Sequence, residues 1–379
     1  MSNYIALVLA IAFLAPTPIF ASGSQIASND AGVWNSHSAA AYLDQRLSWW
    51  TTWKNAERDH GTFCISCHTA LPYALGRPAL RAALNEQGPS ASERRLLENV
   101  TKRVRLWPEV LPFYSDEKNG APKTAEARGT ESVLNALILT SYEAGGKLSD
   151  DARLALDNMW ALQLKSGQEK GAWMWLNFHN EPWEADDSQF WGATLAALAC
   201  GNTPKDYRSG IARENLKLLT EYLQQAERTQ SLLNRLFLLW ASTKVPDLLS
   251  AKQQKSIIDE VLGKQQEDGG WSTSSLVAAT WKRRDGTPLE KKSDGYATGL
   301  VSFVLQRAGI SATQSELKKA LGWLAKNQDK AEGRWPAASL NRERDPASDA
   351  ARFMSDAATA YAVLALTRAN RDLRLTQVR

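Results

Sequence analysis

The segment Cys64-Ile65-Ser66-Cys67-His68 has the C-x-x-C-H pattern by which a c-type haem is attached to a protein. Attachment needs two thiols spaced to reach both vinyl groups, and a histidine beside the second thiol as axial iron ligand. Cys64, Cys67 and His68 meet this requirement, so we predict a covalent haem c. Three alternatives stay open: a disulfide between the two cysteines, a metal site that recruits further ligands, and an inert helix start.

A second group of residues with chemical potential consists of three carboxylates, Glu184, Asp186 and Asp187, placed directly before an apolar segment. Crowding of like charges together with burial raises a carboxyl pKa, so that one group stays protonated and serves as an acid. The alternative is that these residues cap a helix N-terminus, where the helix dipole favours anions. Asp294 and Asp356 each follow a serine before an apolar segment, and for these two we favour capping.

The elements that must position these groups are repeats. Six times, an amphipathic helical segment is followed by a turn and a more apolar, alanine-rich segment. Clear copies are ALDNMWALQLKSGQEKGAWMW with DSQFWGATLAALA, and SIIDEVLGKQQEDGGWSTSSL with SDGYATGLVSFVLQRAG. Apolar helices should lie inside and amphipathic helices outside, and such units must stack to bury their faces. We predict an all-α chain, an (α/α)6 toroid of six helix pairs over residues 33–370.

In such a toroid all inner helices run parallel, and their N-termini meet at one end. We therefore expect Cys67 and Asp186 at the same end of the barrel. Met354 stands just before the Ser-Asp pair of the sixth inner helix. It is the candidate second axial ligand of the haem iron, with His68 as the first.

Some of these segments carry a family resemblance. QQEDGGW, residues 265–271, resembles the Q-x-x-x-G-x-W repeat of squalene and oxidosqualene cyclases, and residues 171–199 resemble their D-x-D-D segment. The resemblance implies a toroid of the terpenoid cyclase and prenyltransferase type. It also implies that Asp186 takes the position of the proton donor, flanked by Glu184 and Asp187. If the chain is an enzyme, the resemblance implies a class II cyclase-like isomerase or lyase.

Composition and the chain ends indicate where the protein works. The chain has 379 residues and a net charge of +4, with Lys and Arg scattered among Asp and Glu, so no nucleic-acid partner is expected. Residues 5–20 form an apolar run too short for a membrane span, followed by small residues at 21–23. We predict a signal peptide over residues 1–23, a C-terminal tail over 371–379, and a periplasmic or secreted protein.

Together these features predict an exported cyclase-like toroid that binds an isoprenoid or other apolar ligand in its central cavity, with haem c at the cavity mouth. One alternative is a periplasmic haem protein for electron transfer or sensing, with a redox partner and the toroid as scaffold. Another is a glycan-binding or glycan-lyase toroid that uses tryptophans as sugar platforms. An apolar aromatic cavity would favour the first function. Trp271 and Trp335, in the repeat turns, are assigned to packing.

Overall fold

The computed structural model describes residues 33–115, 120–143 and 147–377, so the predicted signal peptide lies outside the described residues. The described chain forms thirteen α-helices and one small hairpin: α1 (Ser36–Thr52), β1 (Glu57–Arg58), β2 (Thr62–Phe63), α2 (Ala70–Ala83), α3 (Ala91–Arg105), α4 (Ala121–Tyr142), α5 (Asp150–Ala161), α6 (Ser188–Gly201), α7 (Lys205–Ser209), α8 (Arg213–Ala226), α9 (Leu232–Ser242), α10 (Ala251–Leu262), α11 (Gly295–Arg307), α12 (Ser315–Lys326) and α13 (Phe353–Gln377). Short 3-10 turns lie at 59–61, 227–229, 273–275 and 349–352.

Helices that are buried on nearly all sides alternate with amphipathic helices, as the repeats predict. In α6 every residue from Phe190 to Cys200 is buried, whereas α10 buries only Ile257 and Val261. Helices α2, α4, α6, α9, α11 and α13 are of the buried kind, and each follows an amphipathic helix. The all-α prediction is confirmed, with the two-stranded antiparallel pair β1–β2 as the one sheet among the described residues.

Contacts between the six apolar helices follow the order of the chain. Helix α2 contacts α4, α4 contacts α6, α6 contacts α9, α9 contacts α11, and α11 contacts α13. The last of them, α13, contacts α2, so the series returns to its start. The amphipathic helices pack against this inner set, α1 against both α2 and α13, and α12 against both α11 and α13.

Three of the repeat turns are fastened by a glutamine amide. The side chain Nε2 donates to the carbonyl of a turn glycine and to a carbonyl near the start of the next amphipathic helix. The acceptor pairs are Gly171 and Asn215 for Gln163, Gly269 and Glu316 for Gln265, and Gly333 and Asn35 for Gln328, at 2.8–3.0 Å. The turn glycines have φ of 102°, 91° and 77°, a conformation that residues with a side chain rarely adopt. Gln328 therefore links the last turn to the first helix.

A buried tryptophan follows each of these glycines. The indole N–H donates to a main-chain carbonyl of the preceding amphipathic helix: Trp173 to Met159, Trp271 to Val261 and Trp335 to Leu324, at 2.6–2.7 Å. All three indoles are almost completely buried. The packing role predicted for Trp271 and Trp335 is confirmed, because each ring fixes its own helix to the following turn.

Helix α13 includes the first part of the segment assigned as a C-terminal tail. It continues to Gln377, and the assignment of residues 371–379 as a tail stays a prediction. Among the described residues, no helix combines the length and apolar character that crossing a membrane would need.

Replacing Gln328 with alanine should lower the free energy of unfolding by about 2–3 kcal/mol, because Asn35 and Gly333 lose three hydrogen bonds to a buried amide. Urea denaturation followed by circular dichroism measures this change. Lys326→Ala, at the exposed end of α12, is the control and should change stability little. Equal stability of the two variants would contradict the role given to Gln328.

Candidate functional site

His68 lies just before α2, and its ring is held by a hydrogen-bonded chain. Its Nδ1 lies 2.8 Å from Thr69 Oγ1, and that hydroxyl donates to Asp356 Oδ2 at 2.7 Å. Because the hydroxyl proton is directed to the carboxylate, the hydroxyl oxygen accepts a hydrogen bond from the imidazole N–H. Nδ1 is therefore protonated, and the Nε2 lone pair is available to a ligand. Burial lowers the pKa of His68 to about 3, with Arg46 and Arg344 contributing, so the ring is neutral.

Asp356 is the hub of this network. It is 1% exposed and accepts hydrogen bonds from Tyr42 Oη at 2.7 Å, Arg46 Nε at 2.8 Å and Thr69 Oγ1. All three donors are side chains on or before the first two helices. The expectation that Asp356 caps its own helix is wrong, because side chains of the first unit take up its oxygens. Asp294 does cap α11, accepting from Ala297 N at 3.0 Å, as predicted.

Aromatic rings enclose the imidazole of His68. Phe353 stacks on it with ring centroids 3.8 Å apart, Trp50 meets it edge-on at 5.0 Å, and Trp183 lies 5.9 Å away. Stacking by Phe353 covers a ring face and does not involve the in-plane lone pair of Nε2. Trp183 directly precedes Glu184, so this contact brings the C-x-x-C-H segment and the acidic segment together. The two segments therefore lie close together in the structure.

The two motif cysteines are free, buried thiols. Cys64 is 8% exposed and Cys67 is 5% exposed. Burial raises the pKa of Cys64 to about 12 and that of Cys67 well above its ordinary value, with nearby Glu184 adding to both shifts. Thiols with such pKa values stay protonated and are poor nucleophiles. Met354, the candidate second axial ligand, is also buried, at the start of α13.

Asp186 does not have the burial or the raised pKa expected of a catalytic acid. Its side chain is 75% exposed, and its carboxylate accepts from Asn177 Nδ2 at 2.9 Å and lies 2.7 Å from His179 Nδ1. The Asn177 hydrogen bond and the nearby imidazole lower the pKa of Asp186. The expectation that Glu184 and Asp187 raise this pKa is wrong, because the Asp186 carboxylate is in water and is stabilised in its charged form.

The neighbouring carboxyls behave in the opposite way. Burial raises the pKa of Glu184 to about 7 and also raises that of Asp187, whose carboxylate accepts from Asn234 Nδ2 at 3.0 Å. Glu181, which sequence reasoning missed, is 6% exposed, and burial together with Asp187 and Asp186 raises its pKa to about 8. The one sequence feature that could have indicated Glu181 is its position directly before Pro-Trp in an aromatic-rich segment. Near neutral pH, Glu181 is thus mostly protonated and Glu184 is about half protonated.

A cavity of about 600 Å³ lies near the other end of the apolar helices. Each of the six contributes an apolar side chain to its wall: Leu75, Leu137, Leu198, Trp240, Phe303 and Leu364. On α6, Leu198 is ten residues, or about 15 Å, from the first residue Ser188, where the acidic segment ends. The expectation that this cavity opens beside the haem motif is therefore wrong.

Aromatic rings occupy the interior between the two ends. Successive ring centroids are 4.9–6.1 Å apart along the series His68, Trp183, Tyr296, Tyr361, Phe237, Trp240 and Phe303. Rings at these distances pack by edge and tilted contacts. This packing separates the C-x-x-C-H segment from the cavity at the other end.

No protein-family model matches the chain, and no curated protein matches it. Within the described ranges, no group of three or more His, Cys, Asp and Glu side chains is arranged to hold a metal ion. Function is therefore inferred from side-chain geometry.

Asp356→Asn should lower the free energy of unfolding by about 3 kcal/mol, because buried Arg46 loses a charged partner and the new amide faces three donors. Asp349→Asn is the matched control. Asp349 pairs with the same guanidinium at the surface, where an ion pair contributes about 1 kcal/mol or less. Thermal and urea unfolding compare the two. Equal losses would contradict the hub role of Asp356.

Glu181 should make the protein less stable as the pH rises. Its carboxyl pKa is 4.5 in ordinary surroundings and about 8 when folded, so between these values the unfolded chain releases a proton that the folded protein retains. Relative to Glu181→Gln, wild type should lose roughly 4 kcal/mol between pH 5 and pH 9. Glu214→Gln, at an exposed carboxyl on α8, is the control and should leave this slope unchanged. Parallel pH profiles for wild type and Glu181→Gln would contradict the assignment.

Proposed function

We propose that this protein is an exported (α/α)6 toroid of the terpenoid cyclase type that binds an isoprenoid or another apolar ligand. The observation that carries the proposal is the cavity of about 600 Å³, a size typical of ligand sites, whose wall receives an apolar side chain from each of the six inner helices. The cyclic contacts of those helices and the glutamine and tryptophan contacts of the turns support the toroid. An apolar aromatic wall favours this ligand over a glycan.

Binding is favoured over cyclisation because the acids and the cavity are separated. A general acid must come within about 3 Å of the atom that it protonates. Asp186 is exposed and its pKa is lowered, which argues against the role of acid. Glu184 has a more suitable pKa, but it precedes α6, whereas the cavity wall is near the C-terminal end of α6.

A covalent haem c on Cys64 and Cys67 is a second proposed feature, and the protonation state of His68 favours it. Metal-binding histidines usually donate their second ring N–H to a fixed acceptor, as Nδ1 does to Thr69. Nε2 would then hold the iron, with Met354 as the candidate second axial ligand. When bound, haem supplies one-electron chemistry, which suits exchange with a redox partner. Thr69 and Asp356 keep the imidazole neutral and oriented.

Filling the cavity should weaken ligand binding. We expect labelled farnesol to bind saturably to the full chain. Ala79→Phe adds a ring to the wall and should weaken this binding at least about tenfold by steric exclusion. Leu154→Phe, on the exposed surface of α5, should leave binding unchanged. If wild type binds neither farnesol nor squalene, the proposed function is wrong.

The haem is tested with cysteine variants produced in cells that attach haem c. Wild type and Cys200→Ser should show a Soret band and an intact mass increased by one haem. Cys64→Ser combined with Cys67→Ser should lose both while keeping its helical circular dichroism, because the core is spread over six units. Wild type without the added mass would contradict the haem assignment.

A further inference from the structure

Positively charged residues form a rim at one edge of the cavity, and three of them follow a residue of the apolar wall at the same spacing. On three neighbouring inner helices the wall residue is followed, four residues later, by a cation that also lines the cavity. The pairs are Trp240 and Lys244, Phe303 and Arg307, and Leu364 and Arg368. Four residues are about one helical turn, or about 6 Å along the axis. The three cations therefore lie one turn beyond the apolar wall, on adjacent helices.

The charge of this rim is of one sign. Lys244, Arg307, Arg368 and Arg371 line the cavity, and none of the described lining residues is Asp or Glu. Lys244 donates to the neutral Asn202 Oδ1. Burial and the neighbouring Arg307 lower the pKa of Lys244 to about 8. Burial also lowers the pKa of Arg307, and Arg368 and Arg371 lower it further. An anion would relieve this repulsion.

Helix-dipole stabilisation accounts for only part of the rim. Cations near a helix C-terminus are favourable, which suits Arg307 at the end of α11 and Lys244 just beyond α9. The dipole effect falls off beyond the last turn. Arg368 lies nine residues before the end of α13 at Gln377, so the dipole does not explain its position.

Two buried donors in the wall lack acceptors. Trp240 is 5% exposed, and neither its Nε1 nor the buried Arg307 Nε has a hydrogen-bond partner within the described part of the chain. A buried donor without an acceptor costs about 1–3 kcal/mol. Both groups can only donate. An anion in the cavity would therefore interact favourably with both groups through electrostatic attraction to their N–H dipoles.

We propose that the cavity binds an apolar chain that ends in an anionic head, with the head between Lys244, Arg307 and Arg368 and the chain against the apolar wall. The inference rests on the proposed function and adds the charge of the ligand. A fatty acid carboxylate and a prenyl phosphate share this chemistry.

The test compares ligands that differ in the head alone, by titration calorimetry on the full chain at pH 7. The pairs are farnesyl phosphate with farnesol, and palmitate with 1-hexadecanol. The anion of at least one pair should bind about tenfold or more tightly than its neutral partner, because it can form charge-assisted hydrogen bonds with the cations of the rim. The pair with the larger difference identifies the head as phosphate or carboxylate.

Variants locate the head. Lys244→Gln combined with Arg307→Gln should remove the preference for the anion and leave the affinity for the neutral partner unchanged. Arg307→Lys keeps the charge and should keep most of the preference, which guards against a folding defect of the double variant. Lys255→Gln combined with Arg105→Gln, on exposed outer surfaces, is the matched control.

Each outcome is decisive. Equal affinity for anion and neutral partner overturns the inference and leaves the proposed function standing. A preference that survives the double variant means that the anion binds elsewhere, which also overturns the inference. If neither member of either pair binds to wild type, the inference and the proposed function both fail.

Discussion

The arrangement of the first and last units depends on one buried carboxylate. Asp356 accepts hydrogen bonds from Tyr42, Arg46 and Thr69, residues 287 to 314 positions away in the sequence. Burial of a charge is unfavourable unless it is paired and hydrogen-bonded, and here one cation and two hydroxyls satisfy that condition. The same carboxylate fixes Thr69 and through it the imidazole of His68. Contact between α13 and α2 and the chemistry of the C-x-x-C-H segment therefore share one constraint.

The residues before and after the apolar helices also differ in charge. Helix N-termini favour anions and C-termini favour cations. Glu184 and Asp187 accordingly precede α6, while Lys244 and Arg307 stand where α9 and α11 end. Burial outweighs the dipole for Glu184, whose pKa rises. Carboxyls with raised pKa values therefore lie near the neutral imidazole of His68, whereas cations surround the apolar wall of the cavity.

The helix pairs could be predicted from the sequence, because the extent to which each helix is buried shows in its hydrophobic pattern. The apolar run of α6 is an example. The packing of Trp271 and the helix cap at Asp294 could also be predicted, because both depend on contacts between residues close in the sequence. The direction of Asp186 could not be predicted, because the segment before α6 is irregular, with a single bridge between Asn180 and Glu184, and no helical period sets its side chains. The partners of Asp356 are too distant in sequence for any local pattern to indicate them.

The contact between the first and last units can form only late, after most of the chain has been synthesised. Thr69 leaves the ribosome 287 residues before Asp356, which at about 5–20 residues per second is roughly 15 to 60 seconds. Until then Phe353 and the rest of α13 cannot cover His68. In the finished fold both motif thiols are buried. A modifying enzyme that acts on Cys64 and Cys67 must therefore reach them before α13 packs against α2, so modification has to precede the last step of folding.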